Sequence, residues 1–224
     1  MILTYGDSHS FYSFKNSNLA LNNRSRSGIT MFRIGRDNTI INFNKIEDDK
    51  PDNVLCLCYG EIDCRIHISN QISLGKNEDD IISSLVTKYF TTLRNNITIC
   101  KNVIIVGIIP TKRDIDFDAE FDFTIFKKED WMLGTDEERV RYTKKMNTLI
   151  EEQCKVNNYI YFNPYKYYEN DDGTIKREFC DPGTHLKNND FFLQEFENLL
   201  ISRGFQYNKI SSSQRFLRFL SRRK

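Results

Sequence analysis

The chain is expected to fold as one three-layer α/β/α sandwich around a mostly parallel central sheet. Two observations lead there: four short, nearly continuous apolar runs, and long amphipathic stretches placed between and after them. A strand covered by helices on both faces reads as unbroken hydrophobicity rather than alternation. Strands that alternate with helices imply βαβ crossovers and hence a parallel sheet. No internal repeat or linker interrupts the 224 residues, which suit one domain with a proper core.

The first apolar run, residues 2–5, ends in Gly6-Asp7-Ser8-His9, four poor strand formers. The second, 54–59, reads "VLCLCY" and runs into Gly60-Glu61-Ile62-Asp63. Residues 77–96 place Ile81, Leu85, Tyr89 and Leu93 on one helical face. The third run, 103–109, is "VIIVGII". A helix over 135–158 opens on a capping box, Thr135 with Glu138, followed by Val140, Met146, Leu149 and Ile150. The fourth run is 159–162, and a last helix over 188–204 closes at Gly204. Sites in such folds form at the carboxyl ends of the strands, where Gly6–His9 and the Gly60 stretch both fall.

Two segments depart from this order. Residues 111–134 form a long connection rich in Phe and Asp that holds the only tryptophan, Trp131. It is open to two equal readings, a lid or binding loop and a surface excursion with its own small hydrophobic cluster. The tail 211–224 mixes Phe and Leu with Arg and Lys. A basic amphipathic helix there could touch anionic lipid, though packing on its own domain or reaching a partner is the preferred reading.

Composition excludes several classes. Lys plus Arg (32) balances Asp plus Glu (31), for a net charge of +1. No global field therefore draws nucleic acid or a membrane surface. No apolar run reaches a bilayer's span, and the N-terminus lacks a signal pattern, so a soluble, cytoplasmic protein is expected. The six cysteines form no CxxC pair, which gives no support to a metal site; no cofactor is expected.

A serine needs a base, and the base an orienting group. The chain has three histidines. His9, beside Ser8, is expected to point elsewhere from the same turn. His67 follows the second strand and reads as structural or substrate-contacting. His185 lies before the last helix with Asp181 four residues upstream, so one loop could carry both groups to Ser8 at the top of the sheet. Asp7 is expected to brace its turn rather than to react.

The blocks "GDSHS", "GEIDCR" and the Asp181/His185 pair, in this order and at predicted strand ends, resemble the SGNH (GDSL-type) hydrolases, in particular a subgroup with a GEIDCR-like third block. The resemblance implies a flavodoxin-like α/β/α fold with Ser8 as nucleophile and Asp181 and His185 as its partners. It also implies a backbone donor from a second-block glycine, here Gly28 or Gly35, with Gly28 preferred. Gly60 opens the third block. The family usually has an asparagine two residues after that glycine, whose amide completes the oxyanion hole; here Ile62 stands there. Arg65 is the expected substitute donor, oriented by Glu61 or Asp63. The last block, usually Asp-x-x-His, is one residue longer here. The implied activity is ester hydrolysis of short acyl groups on a small-molecule or glycan substrate. The alternatives are an O-acetyltransferase using the same residues and a non-catalytic binding module.

Overall fold

The computed structural model describes residues 1–122, 124 and 127–209. The tail 211–224, and with it both readings of its role, lies outside the described residues. The elements run β1 (Ile2–Gly6), α1 (Ser8–Phe14), β2 (Leu21–Asn23), α2 (Met31–Asp37), α3 (Lys45–Asp48) and β3 (Val54–Cys58). A π-helical turn, Asp63–His67, leads into α4 (Ile68–Ser73) and α5 (Glu78–Asn96). Then follow β4 (Asn102–Val106), α6 (Asp114–Glu120), α7 (Asp136–Asn157), β5 (Ile160–Phe162) and α8 (Asp190–Ser202).

All five strands are parallel, in the order β2-β1-β3-β4-β5. The fold is thus the expected three-layer α/β sandwich. Alternate strand residues feed two cores. Leu3, Tyr5, Leu55, Leu57, Val103 and Ile105 meet α2, α5 and α7 on one face. Ile2, Val54, Cys56, Cys58, Ile104 and Val106 meet Phe14 of α1 and Phe192, Phe196 and Leu200 of α8 on the other. With both faces of β1, β3 and β4 covered, their continuous apolar runs follow directly. All six cysteines are buried as small apolar side chains. Among the described residues no helix is long and apolar enough to cross a membrane.

The order 2-1-3-4-5 reverses direction at β1. The crevice between the carboxyl ends of β1 and β3 is therefore the topological switch point, where sheets of this kind bind ligands. Gly6 lets α1 start hard against that edge. A side-chain carbon there would stand 2.2 Å from the Cys58 carbonyl oxygen and 2.4 Å from Ser10 Cβ.

Several local expectations are corrected. The third apolar run, expected to be strand through residue 109, is strand only to Val106 (β4), and beyond it Asn147 pairs with the backbone. Its side chain accepts from the Ile108 amide at 2.7 Å and donates to the Ile108 carbonyl at 3.0 Å. The stretch after β3 is helical, through the π-helical turn and α4. Strand β2 and helices α1, α2, α3, α4 and α6 were not expected; β2 is a half-exposed edge strand without an apolar run. The capping box at Thr135 and Glu138 forms as read.

Candidate active site

The site is built around the N-terminus of α1. Asp7 caps that helix by accepting the His9 amide at 2.8 Å, which fixes Ser8 as the first helical residue beyond β1. Asp7 is itself buried, so it braces the turn as expected. Ser8 stays half-buried.

The loop 180–186 reaches the same edge. Cys180 and Leu186 pair as an antiparallel bridge, and the Asp181 amide donates to the His185 carbonyl at 2.9 Å. The additional residue is absorbed inside this tight turn. In return Asp181 Oδ1 accepts the His185 amide at 2.9 Å, while Oδ2 lies 3.1 Å from His185 Nδ1. With Nδ1–H donating to Asp181, Nε2 is left as an acceptor, and Ser8 Oγ stands 2.9 Å from it. The three residues converge with the geometry of a nucleophile, its base and the group that orients the base. Burial alone would raise the Asp181 carboxyl. The hydrogen bonds from His185 and the nearby Lys112 ammonium hold it below the usual carboxylate range.

His9 points elsewhere, as anticipated, but into the interior beneath His185. Its Nδ1 is 3.3 Å from Asp7 Oδ1; its Nε2 is 3.2 Å from the Thr184 carbonyl oxygen and 3.4 Å from Glu61 Oε2. Burial disfavours its proton, yet the charges of Glu61 and Asp7 outweigh this and hold the imidazole above its usual value. For Glu61, burial pushes up, while Arg65 and His9 pull the carboxyl below its usual value.

Arg65 is oriented by Glu61, not by Asp63. Its Nε donates to Glu61 at 2.8 Å and its Nη1 to the Trp131 carbonyl. Asp63 caps α2 instead, accepting the Met31 and Phe32 amides at 2.6 and 3.0 Å. Burial pushes its carboxyl up to about 7. Gly60 adopts φ +113°, and a side-chain carbon there would meet Ile108 Cδ1 at 2.7 Å, so packing demands glycine. Gly28 sits in an exposed turn at φ +76°, two residues beyond Arg26, whose amide donates to the Gly6 carbonyl. That contact puts the turn at the carboxyl edge of β1. Gly35, inside α2, packs on Lys88 of α5. Ile62 is half-buried and has no donor to offer. His67 stacks on Phe32 with centroids 4.3 Å apart and lines a separate cleft of about 430 Å³ between α2 and α5, where Ser8 takes no part.

Three site residues escaped the sequence. Lys112, 2% exposed, donates from Nζ to the Asp181 carbonyl (2.7 Å), the Pro182 carbonyl (3.0 Å) and Glu120 (2.8 Å). Tyr12 stacks on His185, ring centroids 4.2 Å apart and planes 16° from parallel. Asn189 donates from Nδ2 to the carbonyls of Tyr12, Ser13 and Lys15 and so ties the start of α8 to the end of α1. The spacing of Ser8 and Tyr12, four apart, was the available signal for one of them; it speaks only once residues 8–14 are read as a helix.

The segment 111–134 is fastened at both ends. The fully buried Arg139 donates to Thr111, to the carbonyls of Leu133 and Gly134, and to Asp114 and Asp136. Phe117 and Phe121 stack at 4.5 Å and Trp131 lies 5.0 Å from Phe121, a small hydrophobic cluster of its own.

No known family profile matches the chain, and no curated protein does. Solved structures do match in fold. A GDSL-like lipase from Bacteroides thetaiotaomicron is 14% identical, with a TM-score of 0.54 over 91% of this chain and 86% of its own. A catalytic mutant of Axe2, an acetylxylan esterase from Geobacillus stearothermophilus, is 12% identical at 0.52, over 92% and 94%. The OSK domain of Drosophila Oskar is 11% identical at 0.52, over 88% and 87%. At these identities the likeness is one of fold, which this chain shares with GDSL lipases and acylhydrolases.

Proposed function

We propose that the protein is a serine ester hydrolase acting on short acyl esters, acetyl above all, with Ser8 as nucleophile, His185 as base and Asp181 as its orienting carboxylate. One observation carries the reading: a half-exposed serine, an imidazole and a carboxylate in hydrogen-bonded sequence at the β1/β3 switch point. Ser8 Oγ attacks the ester carbonyl carbon while its proton passes to His185 Nε2. The carbonyl oxygen becomes an oxyanion, received by the backbone amides of Ser8 and Gly28. Its collapse breaks the acyl–oxygen bond, and His185 returns the proton to the departing alcohol. Water, deprotonated by His185, then attacks the acyl-enzyme; the acid leaves and Ser8 regains its proton. Asp181 supports the transient imidazolium without taking its proton. A carbohydrate carrier agrees with the fold shared with an acetylxylan esterase. A sugar hydroxyl in place of water would make the same residues an O-acetyltransferase.

Ile62 favours a second reading. Without the asparagine amide, the oxyanion loses a donor typically contributing roughly a hundredfold to a thousandfold in rate. A non-catalytic module keeping the fold fits that loss. The test is a fluorophosphonate probe followed by peptide mass analysis, alongside p-nitrophenyl acetate turnover. A Ser8 adduct and turnover, both lost in Ser8→Ala, are expected. No adduct and no turnover would leave the binding module standing.

A further inference from the structure

Helix α1 supplies more than the nucleophile. Ser8 and Tyr12 are one turn apart, and the two ends of their shared face both reach His185, Ser8 through a hydrogen bond and Tyr12 through its ring. Counting His9 as well, the imidazole of His185 is in contact with two rings of the same helix. His9 is tilted at 39° with centroids 4.8 Å apart, whereas Tyr12 is stacked nearly parallel at 4.2 Å. The Tyr12 backbone cannot drift, because Asn189 holds its carbonyl at 3.1 Å and those of Ser13 and Lys15 beside it.

We propose that Tyr12 is a positioning residue for the base: its ring face fixes the plane of His185 and favours the imidazolium formed when Ser8 gives up its proton. The electron-rich face of an aromatic ring attracts a cation. A neutral imidazole gains only packing from the same contact, so the stacking is worth more in the charged state than in the resting one. Interactions that strengthen on the way to the transition state raise kcat rather than lower KM. The rotation of an imidazole about its Cβ–Cγ bond is also soft. A flat partner on one side therefore narrows the range of Nε2 positions presented to Ser8.

The other charged or titratable groups facing this imidazole stay in place when Tyr12 is changed. On its own loop this is Asp181, with Lys112 of the 111–134 segment behind it. From α1 come Ser8 and His9, and from the turn after β3 comes Glu61, close enough to His185 for their charges to interact. Lys15 Nζ lies 5.2 Å from the Tyr12 centroid and competes for the same ring. Variants at Tyr12 thus report on the ring alone.

The inference rests on the hydrolase reading, so its test has two readouts, one of which needs no turnover. The first is the titration of the His185 Cε1–H resonance by NMR in the full chain, where three histidines give a separable spectrum. Tyr12→Leu should lower the His185 midpoint by roughly half a unit to one unit, and Tyr12→Phe should restore it. The second is the kinetics with p-nitrophenyl acetate. Tyr12→Leu should lower kcat by about threefold to thirtyfold with KM within about twofold, its acid limb moving with the NMR midpoint, and Tyr12→Phe should recover most of the rate. Should Tyr12→Leu not fold, Tyr12→Met carries the same expectation. An unchanged midpoint in the Leu or Met variant overturns the proposal, as does a Phe variant as impaired as Leu, which would assign the effect to the hydroxyl. A chain that titrates as expected but never turns over ester would sink the hydrolase reading and leave the ring contact intact.

Discussion

Lys112 offers the sharpest test of how the long segment after β4 bears on the site. Its ammonium is withdrawn from water and bonded to the carbonyls of both Asp181 and Pro182, the two residues where the last block departs from the usual spacing. Turning two carbonyls toward one buried cation is how the longer loop is kept in a single shape. Lys112→Met keeps the stem and removes the three bonds. Hydrogen bonds from a charged donor contribute roughly 1.5–3 kcal/mol each, and relief of the buried ammonium's desolvation offsets part of that sum. Glu120 is not stranded, since Arg177 holds it at 2.8 Å. The net loss should be about 2–4 kcal/mol, or roughly 5–12 °C in Tm for a domain of this size. Thermal unfolding reads that loss, and p-nitrophenyl acetate kinetics should show kcat lower by about tenfold at unchanged KM, as the Asp181–His185 pair loosens. A variant as stable and as active as the parent refutes the reasoning. One that loses stability but keeps kcat would show that Lys112 serves the fold alone.

Asp181→Asn should lower kcat by about a thousandfold or more, because with Oδ1 kept on the His185 amide the new NH2 group would donate to Nδ1, impose the wrong tautomer and offer an imidazolium no negative charge. Unchanged turnover, with His185→Ala inactive, would reduce the triad to a dyad. Arg65→Met is expected to lower Tm, since it strands the buried Glu61 and releases the Trp131 carbonyl; a hundredfold fall in kcat at unchanged Tm and KM would instead identify the guanidinium as the missing oxyanion donor. Glu78, paired with Arg141 and Lys145, has its carboxyl lowered to about 2 by those partners against some desolvation. A depressed folded-state value means stability that is present above the unfolded value of 4.5 and lost as pH falls through about 2. After discounting for solvent screening it amounts to about 1 kcal/mol. Glu78→Gln should therefore cost stability at pH 7 in a denaturant titration, with the difference gone below pH 2.

Much of this architecture was legible because burial writes itself into the sequence. β1, β3 and β4, covered on both faces, read as unbroken apolar runs and the half-buried edge strand β5 as a shorter one, whereas β2, Leu21-Asn22-Asn23, offers only Leu21 to the core and leaves no pattern to find. Helix α1 was invisible for a different reason. Ser8-His9-Ser10-Phe11-Tyr12-Ser13-Phe14 has weak intrinsic helix preference, and its helicity comes from the Asp7 cap and from packing Phe14 on Phe192 and Phe196. Ser8, His185 and Asp181 were legible as candidates since two of them share one short loop and the third closely follows the end of a strand. Tyr12 was not, because its position depends on a helix the sequence did not announce.

The histidine after the serine and the charged third block, which the sequence presents separately, turn out to be one feature. His9 and Glu61 meet at 3.4 Å in the interior, with Asp7 on one side and Arg65 on the other. Along this line the charges alternate, Asp7 and Glu61 negative, Arg65 positive, and His9 an imidazole whose proton its neighbours favour. A buried charge without a partner costs several kcal/mol, so none of the four is replaceable alone. The line also has direction: it starts at the Trp131 carbonyl in the segment after β4 and ends at the Thr184 carbonyl, next to His185. Lys112 reaches the same loop from the other end of that segment. The loop that carries His185 is therefore held by His9 at the Thr184 carbonyl and by Lys112 at the Asp181 and Pro182 carbonyls. The polar residues of the third block are all engaged inside the protein, Glu61 with Arg65 and His9, Arg65 with the Trp131 carbonyl and Asp63 with the Met31 and Phe32 amides, while Ile62 stays half-buried with no donor to offer.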